Sequence, residues 1–446
     1  MSPYTCPECN QEYNGHWCKL CNSKHFQNDF NNWTSGNGKI DKLIQDAQLN
    51  ANYCDEVTEW IPYDRFKDIK QIGKGGFGTI HYARWIDGYI EKWDIKNQQW
   101  QRYDNREMAL KKFDNFVNLN DVLNEMVIHL KTWTEYEASI RFYGITQDPE
   151  THSCMMVLQY AAGGNLREYL KINFNNINWE QKLNNLYNLS KRLMNIHKLD
   201  IVHQDFHPGN ILSSNFKNYD IMISDFGISK LIGANLNDPE KKNIFGVLPY
   251  IAPEVLSGDE EYTKAADVYS FGIIAYEMVT GFPPYPDIPH DKDLAMKICD
   301  GLRPKIPFHT PKLITRMIMR CWDARVTHRP TFEELKNELD KYYSDYFWYL
   351  DKYYSDRYLG FKKNKDSEIV IQIKKAEEFS ANQESTNTAT TTPLNYQIHP
   401  QAIYTSRLLN YSNLPKPKNE ENFERELEEL TESFSYIITN DDIDEF

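Results

Sequence analysis

Three glycines form the pattern G-x-G-x-x-G within "IGKGGFGTI", and they are Gly73, Gly75 and Gly78. A backbone without Cβ atoms can approach phosphate groups closely and direct its N–H groups at them. In dinucleotide-binding units the same pattern opens a helix. Here "TIHYARW" follows, which has the composition of a strand. The segment therefore favours a glycine-rich hairpin that covers ATP.

A lysine and a glutamate further along the chain could complete a phosphate site. Lys111 lies in "MALKKF", where its ammonium group could hold two phosphates of ATP. The alternative is a pair of exposed lysines at the end of a strand. Glu125 lies within the apolar pattern of "LNDVLNEMVIHLKTW", which has helical spacing. We expect Glu125 to pair with Lys111, because its competitors Glu135 and Glu137 lie beyond that pattern.

Twenty-two residues, "WIDGYIEKWDIKNQQWQRYDNR", separate the strand after the glycines from the strand that carries the lysine. We interpret them as an insertion that lengthens a hairpin between two strands. A binding surface is the alternative interpretation.

The N-terminal segment "CPECNQEYNGHWCKLC" has the spacing C-x₂-C-x₈-C-x₂-C. Four thiolates in two close pairs suit a tetrahedral Zn²⁺ ion. The gap of eight residues is shorter than the usual gap, and His16 could replace a cysteine. We expect a small zinc-ribbon-like element that binds a protein partner, with a disordered head of reduced thiols as the alternative. The expected ligands are Cys6, Cys9, Cys18 and Cys21.

Further motifs follow in a fixed order along the chain. "VHQDFHPGN" contains Asp205 and Asn210, "DFG" begins at Asp225, and "APE" ends at Glu254. Together with the glycines, A-x-K and the helix glutamate, these motifs resemble the eukaryotic protein kinase family over about residues 63–343. The tyrosine-kinase-like branch is the most similar, and within it an expanded fungal kinase group. The resemblance implies an α+β, bilobal fold, with a small β-rich N-lobe, a larger helical C-lobe and ATP between them.

The resemblance also implies the chemistry of each residue. Asp205 would orient a protein hydroxyl and accept its proton while the γ-phosphate of ATP is transferred. Asn210 and Asp225 would hold Mg²⁺, and Lys111 paired with Glu125 would fix the phosphates. Glu254 would pair with Arg329, and Asp267 would brace the catalytic loop. The residues expected around ATP are Ile72, Gly73, Gly75, Gly78, Ile80, Ala109, Lys111, Leu158, Gln159, Ala161 and Leu212.

Gln204 stands where most members of the family have an arginine that binds a phosphate on the activation loop. Glutamine carries no charge and binds a dianion poorly. Between Asp225 and Glu254 the only hydroxyl residues are Ser229 and Tyr250, both near the ends. The arginine and a phosphorylation site for it to bind are therefore missing together. We expect an active kinase that needs no activation-loop phosphate, with an inactive pseudokinase scaffold as the alternative.

The substrate class follows less directly from the motifs. Serine/threonine kinases usually have a lysine where His207 stands and a threonine where Val247 stands. Tyrosine kinases usually have a tryptophan where Tyr250 stands. We interpret the balance as a serine/threonine kinase.

The composition and net charge limit which partners and which cellular location we expect. The 446 residues carry a formal net charge of −14, and the pI near 5.4 argues against nucleic-acid binding. No segment resembles a signal peptide or a membrane span, so we expect a soluble, cytoplasmic protein. We divide the chain into a cysteine-rich head (1–50), the kinase domain (63–343), a helical aromatic extension (344–380) and a mostly flexible acidic tail (381–446).

A short helix is expected in the tail at "NFERELEELTESF". The sequence leaves open whether the tail folds back onto the kinase domain. The alternatives are a solvated tail, docking on a basic patch, and a site for a protein partner.

Overall fold

The chain forms two compact units in this computed structural model. One, the N-terminal unit, comprises residues 1–162 and 223–228, and the other, the C-terminal unit, comprises residues 163–222 and 229–446. The structure describes residues 4–13, 15–75, 78–113, 119–218, 220–227, 229–231, 244–259, 261–350, 367–385 and 398–438. The centre of the activation loop, the linker at 386–397 and part of the aromatic extension lie outside these ranges.

The N-terminal unit is built on a six-stranded sheet with the strand order β3-β9-β10-β8-β5-β4. Only β3 and β9 run parallel, and the other pairs are antiparallel. The strands are β1 (Tyr4–Thr5), β2 (Glu12–Tyr13), β3 (Glu59–Trp60), β4 (Phe66–Gly75), β5 (Gly78–Trp85), β6 (Tyr89–Asp94), β7 (Gln99–Tyr103), β8 (Arg106–Phe113), β9 (Phe142–Gln147) and β10 (Cys154–Gln159). The helices are α1 (Lys19–Asp29), α2 (Gly38–Asn50) and α3 (Leu119–Tyr136).

Strand β8 is an inner strand of this sheet, because it pairs with β5 on one side and β10 on the other. Its Met108 and Leu110 are almost completely buried, in a cluster with Trp85 and Val157. Burial of such side chains stabilises a fold by about 1.5–3 kcal/mol each. The paired neighbours therefore fix the position of Lys111, the next residue along β8.

Helix α3 follows the 3.6-residue pattern of its sequence. Val122 and Met126 are buried four residues apart, as an amphipathic helix on a core requires. Glu125 and His129 lie on the buried side as well. The carboxylate of Glu125 needs a partner, because an unpaired buried charge is costly.

The insertion between β5 and β8 forms the hairpin β6–β7, which confirms the hairpin interpretation. Its Trp100 stacks on Phe26 and Trp17 of the cysteine-rich head, with ring centroids 4.5 Å and 5.9 Å apart. Trp93 stacks on His25 at 3.8 Å. The hairpin thus binds the head of its own chain, and the two share one apolar cluster.

The C-terminal unit contains most of the helices. Helix α7, "KAADVYSFGIIAYEMVT", is buried along nearly its whole length, as expected for a helix that is apolar on most sides. The helices are α4 (Leu166–Asn173), α5 (Trp179–Lys198), α6 (Pro253–Ser257), α7 (Lys264–Thr280), α8 (Lys292–Cys299), α9 (Lys312–Cys321), α10 (Phe332–Leu350), α11 (Glu368–Ser385) and α12 (Phe423–Ile438). The short strands that follow β10 are β11 (Ile201–Val202), β12 (Ile211–Ser213), β13 (Ile221–Ile223), β14 (Lys230–Leu231), β15 (Ile244–Gly246) and β16 (Arg407–Leu409).

The tail folds back onto the C-terminal unit. Strand β16 pairs antiparallel with β15, which follows the activation loop. Asn419 accepts a hydrogen bond from the Ala324 amide and donates one to Asp323, both at 2.8 Å. Helix α12 confirms the helix predicted near the C-terminus. None of the helices that the structure describes is both long and apolar enough to cross a membrane.

Candidate active site

Lys111 lies between two carboxylates in the N-terminal unit. Its Nζ donates to Glu125 Oε1 at 2.5 Å and to Asp225 Oδ1 at 2.8 Å. Strand β8 carries the lysine, α3 the glutamate, and the segment at 223–228 the aspartate. The partner on α3 is Glu125 rather than Glu135 or Glu137, as the apolar pattern predicted.

The electrostatics favour a charged lysine here. Lys111 is 4% exposed, and burial alone disfavours its ammonium form. The attraction of Asp225 and Glu125 outweighs that cost, so the pKa of Lys111 is raised above its ordinary value. Two carboxylates share one ammonium, which leaves one negative charge for a further cation. The Asp225 side chain is 29% exposed and is therefore accessible to such a cation.

The backbone at Asp225 is in the left-handed region, with φ of +64°. This conformation is uncommon for a residue with a Cβ atom and costs about 1–3 kcal/mol. Such strain persists where the surroundings hold a side chain in a particular direction. Here it accompanies the bond between Asp225 and Lys111.

The glycines on β4 and the glycine on β5 occupy their positions for different structural reasons. A Cβ atom on Gly78 would lie 2.1 Å from the carbonyl oxygen of Lys112, so the pairing of β5 with β8 requires glycine there. A Cβ atom on Gly73 or Gly75 would have no neighbour nearer than 3.8 Å. The described part of the chain therefore gives no packing reason for these two glycines, which fits the close approach of a ligand.

Nine of the ten other residues expected around ATP lie on strands, and the tenth, Ala161, comes shortly after β10. Ala109 and Leu158 face each other across β8 and β10, and Ile80 pairs with Lys111 across β5 and β8. Ile72 on β4 is 47% exposed, which is unusual for a large apolar side chain in a sheet. The residues of the N-terminal unit are Ile72, Gly73, Gly75, Gly78, Ile80, Ala109, Leu158, Gln159 and Ala161. Leu212 lies on β12 of the C-terminal unit.

Asp267 on α7 holds the loop that contains Asp205. Its carboxylate accepts the backbone N–H groups of His203 at 2.9 Å and of Gln204 at 3.2 Å, and it contacts His197 Nε2 at 2.9 Å. Asn210 closes the loop, because its amide nitrogen donates to the carbonyl of Asp205 at 2.9 Å. The bracing predicted for Asp267 is thus confirmed, and the position of Asp205 is fixed by buried bonds.

A residue of the tail reaches Asp205. Ser406 Oγ donates to Asp205 Oδ2 at 2.5 Å, and His207 Nε2 lies 3.0 Å from the same hydroxyl. The side chain of Asp205 is 3% exposed. Ser406 could not be predicted from the sequence, because nothing in its local sequence distinguishes it from the other hydroxyl residues of the tail.

The two hydroxyl residues that flank the activation loop make structural bonds, as their position suggested. Ser229 Oγ donates to the carbonyl of His203 at 2.7 Å. The Tyr250 hydroxyl donates to Glu277 and accepts a bond from Arg167 at 2.9 Å, and burial raises the pKa of Tyr250.

The ion pair predicted between Glu254 and Arg329 is present, with two bonds of 2.7 Å. Both side chains are buried, so they tie the end of the activation segment to the helical core.

The four N-terminal cysteines come together around one point. The Sγ atoms of Cys6 and Cys21 are 3.8 Å apart, those of Cys9 and Cys18 are 3.7 Å apart, and all four lie within 4.8 Å of one another. Tetrahedral Zn²⁺ with bonds of about 2.3 Å places its sulfur ligands about 3.8 Å apart. Burial raises the pKa of the Cys18 and Cys21 thiols, and a cation among them would favour the thiolates. The geometry therefore fits a zinc ion held by four cysteines.

Comparison with known proteins points to one family. A model of the family described as protein tyrosine and serine/threonine kinase matches residues 66–339, more than half of the chain. The serine/threonine-protein kinase VIK of Arabidopsis thaliana is 30% identical over 306 residues, which are 66% of this chain and 65% of VIK. The tyrosine-protein kinase SPK-1 of Girardia tigrina is 28% identical over 280 residues, 61% of this chain and 52% of SPK-1.

A third relative is the dual specificity protein kinase pyk3 of Dictyostelium discoideum, which is 26% identical over 316 residues. That match covers 69% of this chain and 21% of pyk3, so the chain spans less than two thirds of each of these three relatives. The predicted α+β fold, with a β-rich and a helical lobe, is confirmed. Since the matched residues include every kinase motif from Gly73 to Glu254, together with Arg329, the chain belongs to the protein kinase family.

Proposed function

We propose that this chain is an ATP-dependent protein kinase that phosphorylates serine or threonine and needs no phosphate on its activation loop. The observation that carries the proposal is the buried Lys111, bonded to Glu125 and to Asp225 at once. A structural lysine needs only one partner to neutralise it. An ammonium held between a helix carboxylate and a partly exposed one is placed to bind phosphate beside a cation.

Each residue has a defined task in this proposal. Lys111 holds ATP phosphates, and Glu125 keeps the ammonium in position. Asp225 and Asn210 would bind Mg²⁺, which neutralises charge on the phosphates. Because Asn210 uses its amide nitrogen for the Asp205 carbonyl, its oxygen is the atom that would bind the cation. Asp205 orients the acceptor hydroxyl and takes its proton.

The preference for serine or threonine comes from a contact within this chain, because the relatives do not agree on the acceptor residue. The relatives named above include a serine/threonine, a tyrosine and a dual specificity kinase, so family membership alone does not select the acceptor. A serine hydroxyl of this chain reaches Asp205 at hydrogen-bonding distance. The motif departure at His207 is compatible with this acceptor, because His207 Nε2 contacts the serine hydroxyl at 3.0 Å.

A scaffold without kinase activity is the second candidate, and the same contact favours it. With Ser406 bonded to Asp205, no other hydroxyl can occupy that position at the same time. If the contact never opened, the domain would bind nucleotide but phosphorylate no other protein.

The test is transfer of labelled γ-phosphate from Mg-ATP to an added serine-, threonine- and tyrosine-containing peptide library. The enzyme is full-length protein treated with phosphatase and then freed from it. We expect phosphoserine and phosphothreonine, lost in Lys111→Ala and in Asp205→Asn. Lys112→Ala is the matched control, because the adjacent Lys112 pairs with Asp148 instead. Nucleotide binding without transfer to any acceptor would support the scaffold and contradict the kinase proposal.

A further inference from the structure

Ser406 occupies the position of a phosphate acceptor relative to Asp205. Its Oγ donates a hydrogen bond to Asp205 Oδ2, and a group that takes a proton from an acceptor hydroxyl must lie within hydrogen-bonding reach of it. Ser406 is 201 residues away from Asp205 along the chain, so the contact depends on how the tail folds.

His207 sets the direction of this hydroxyl. Its Nδ1 accepts the backbone N–H of Gly209 at 3.0 Å, so in the neutral ring the proton is on Nε2. His207 Nε2 therefore donates to Ser406 Oγ at 3.0 Å, and the serine proton is left for Asp205. The oxygen keeps one further lone pair with which it can attack.

The tail segment, residues 398–411, is held in place by bonds on both sides of Ser406. On one side, the Tyr404 hydroxyl donates to the carbonyl of Pro284 at 2.8 Å, and Arg167 lies 4.5 Å above its ring. On the other, β16 pairs with β15, with Arg407 opposite Gly246. A Cβ atom on Gly246 would lie 3.3 Å from Asp205 Oδ1, so β15 itself passes beside the carboxylate.

More bonds fix the register of the tail segment. His290 contacts the carbonyl of Ile403 at 3.0 Å, and its own backbone N–H donates to Gln401 at 2.9 Å. Arg407 donates to the carbonyl of His290. Ala402 and Leu409 are buried. An extended peptide that adds a strand to an exposed edge and buries alternate side chains is a recurring form of peptide recognition.

We propose that the tail segment occupies the protein-substrate site of this kinase and that Ser406 is phosphorylated by its own chain. The proposal rests on the proposed function and adds the substrate and the modified residue. A segment that only blocked the site would need no hydroxyl at this point. Here the residue against Asp205 is a serine whose proton is directed at the carboxylate.

The reaction balances without any further component. Ser406 Oγ forms a bond to the γ-phosphorus of ATP while the bond from that phosphorus to the bridging oxygen breaks. ADP leaves with the electron pair of that bond. The hydroxyl proton passes to Asp205 Oδ2. Because the acceptor is tethered to the enzyme, its effective concentration does not depend on the concentration of protein.

The experiment uses phosphatase-treated full-length protein, Mg-ATP and mass-spectrometric mapping of phosphate, with the added peptide library in the same reaction. We expect phosphate at Ser406, at a rate per molecule that is the same in dilute and concentrated protein. The site is lost in Ser406→Ala and Asp205→Asn. It remains in Thr405→Ala, which removes the exposed neighbouring hydroxyl.

A mixing experiment separates reaction within one molecule from reaction between molecules. Ser406→Ala protein, which keeps Asp205, is mixed with Asp205→Asn protein, which keeps Ser406. We expect no phosphate at Ser406 of the Asp205→Asn chain. Phosphate there, or a rate that rises with protein concentration, would overturn the proposal of an intramolecular acceptor.

Two remaining outcomes distinguish this proposal from the proposed function. Phosphorylated library peptides together with an unmodified Ser406 would overturn the tail-segment proposal and leave the kinase proposal intact. Absence of phosphate from both the library and Ser406 would overturn both.

Discussion

Lys111 shows how one buried charge can order a site at the scale of single residues. Its ammonium is bonded to a nearly inaccessible carboxylate on α3 and to a partly exposed one at Asp225. Removing one partner of such a pair leaves the other charge buried without compensation. The position of the ammonium therefore depends on Glu125, although we do not expect Glu125 to touch ATP.

Glu125→Gln tests this dependence. The amide can still accept a bond from Lys111 but no longer attracts its charge, so the lysine is held less firmly. We expect the transfer rate to fall by about 10–100-fold, because a small displacement of a positioning group costs that much. The measurement is the steady-state rate with Mg-ATP and the peptide library.

Glu135→Gln is the matched control for this change. It removes an exposed carboxylate from the same helix and should leave the rate within about twofold, because exposed pairs contribute little. Equal rates for wild type and Glu125→Gln would show that Asp225 alone positions Lys111.

At the scale of elements, the inserted hairpin and the cysteine-rich head support each other. The hairpin presents Trp93 and Trp100, and the head presents His25, Phe26 and Trp17. A head of this size has too small a core to fold alone without a cross-link or a metal. Zinc at the four cysteines and the aromatic contacts would together supply that stability.

Removal of zinc should therefore destabilise the N-terminal unit. We expect about one zinc per chain by elemental analysis, and a strong chelator or Cys9→Ser should lower the unfolding temperature by about 5–10 °C. The matched control is Cys154→Ser, a cysteine on β10 outside the cluster. A chelator that leaves the unfolding temperature unchanged would contradict a structural role for zinc.

Helix α5 carries a buried lysine with a measurable pH signature. Lys182 Nζ donates to the carbonyl of Val279 at 3.1 Å and lies 4.2 Å from the centre of the Phe174 ring. Burial lowers the pKa of Lys182 to about 8, below its ordinary value near 10.5. At pH 7 the folded and unfolded chains both keep the proton, so the cost of burying the charge is fully present. Above pH 8 the folded chain releases the proton first, and stability from this group rises with pH.

Lys182→Met removes this pH-dependent contribution to the free energy of unfolding. The free energy of unfolding of the variant, relative to that of wild type, should fall by about 2–3 kcal/mol between pH 7 and pH 10. Wild type becomes more stable over this range because it loses the buried charge of Lys182, whereas the variant has no charge there to lose. Denaturant unfolding at the two pH values measures the change. Lys191→Met, at an exposed position of the same helix, should show no such dependence. A parallel pH profile for wild type and Lys182→Met would show that Lys182 stays charged in the folded chain.

At the scale of the whole molecule, the sequence predicted what depends on local pattern and fixed motif spacing. The partner of Lys111 and the cysteine cluster follow from such patterns. The two lobes, the brace at Asp267 and the pair of Glu254 with Arg329 were expected from the resemblance to the kinase family. The path of the tail could not be predicted, because the pairing of β16 with β15 joins strands separated by 160 residues, and a strand of three residues leaves no periodic signal in the sequence. Packing of the hairpin on the head was missed for the same reason.

The tail segment covers Asp205 through the bond from Ser406. Release of the segment should therefore control whether other substrates can reach Asp205. If the segment competes with an added peptide, the Michaelis constant for that peptide exceeds its intrinsic value by the inverse of the released fraction. Tyr404→Ala removes the bond to Pro284 and the contact with Arg167, and leaves Ser406 in place. A loss of about 1.4 kcal/mol would raise the released fraction about tenfold while it is small.

We therefore expect Tyr404→Ala to lower KM for the added peptide by about tenfold, with kcat nearly unchanged, and to slow phosphorylation of Ser406. Ile403→Ala is the matched control, because its side chain is exposed and its backbone carbonyl still contacts His290. Steady-state kinetics on phosphatase-treated protein measure KM and kcat for the added peptide. Were Tyr404→Ala to match wild type and Ile403→Ala in KM, the tail segment would have to lie away from the substrate site during turnover, and its contact with Asp205 would not regulate the kinase.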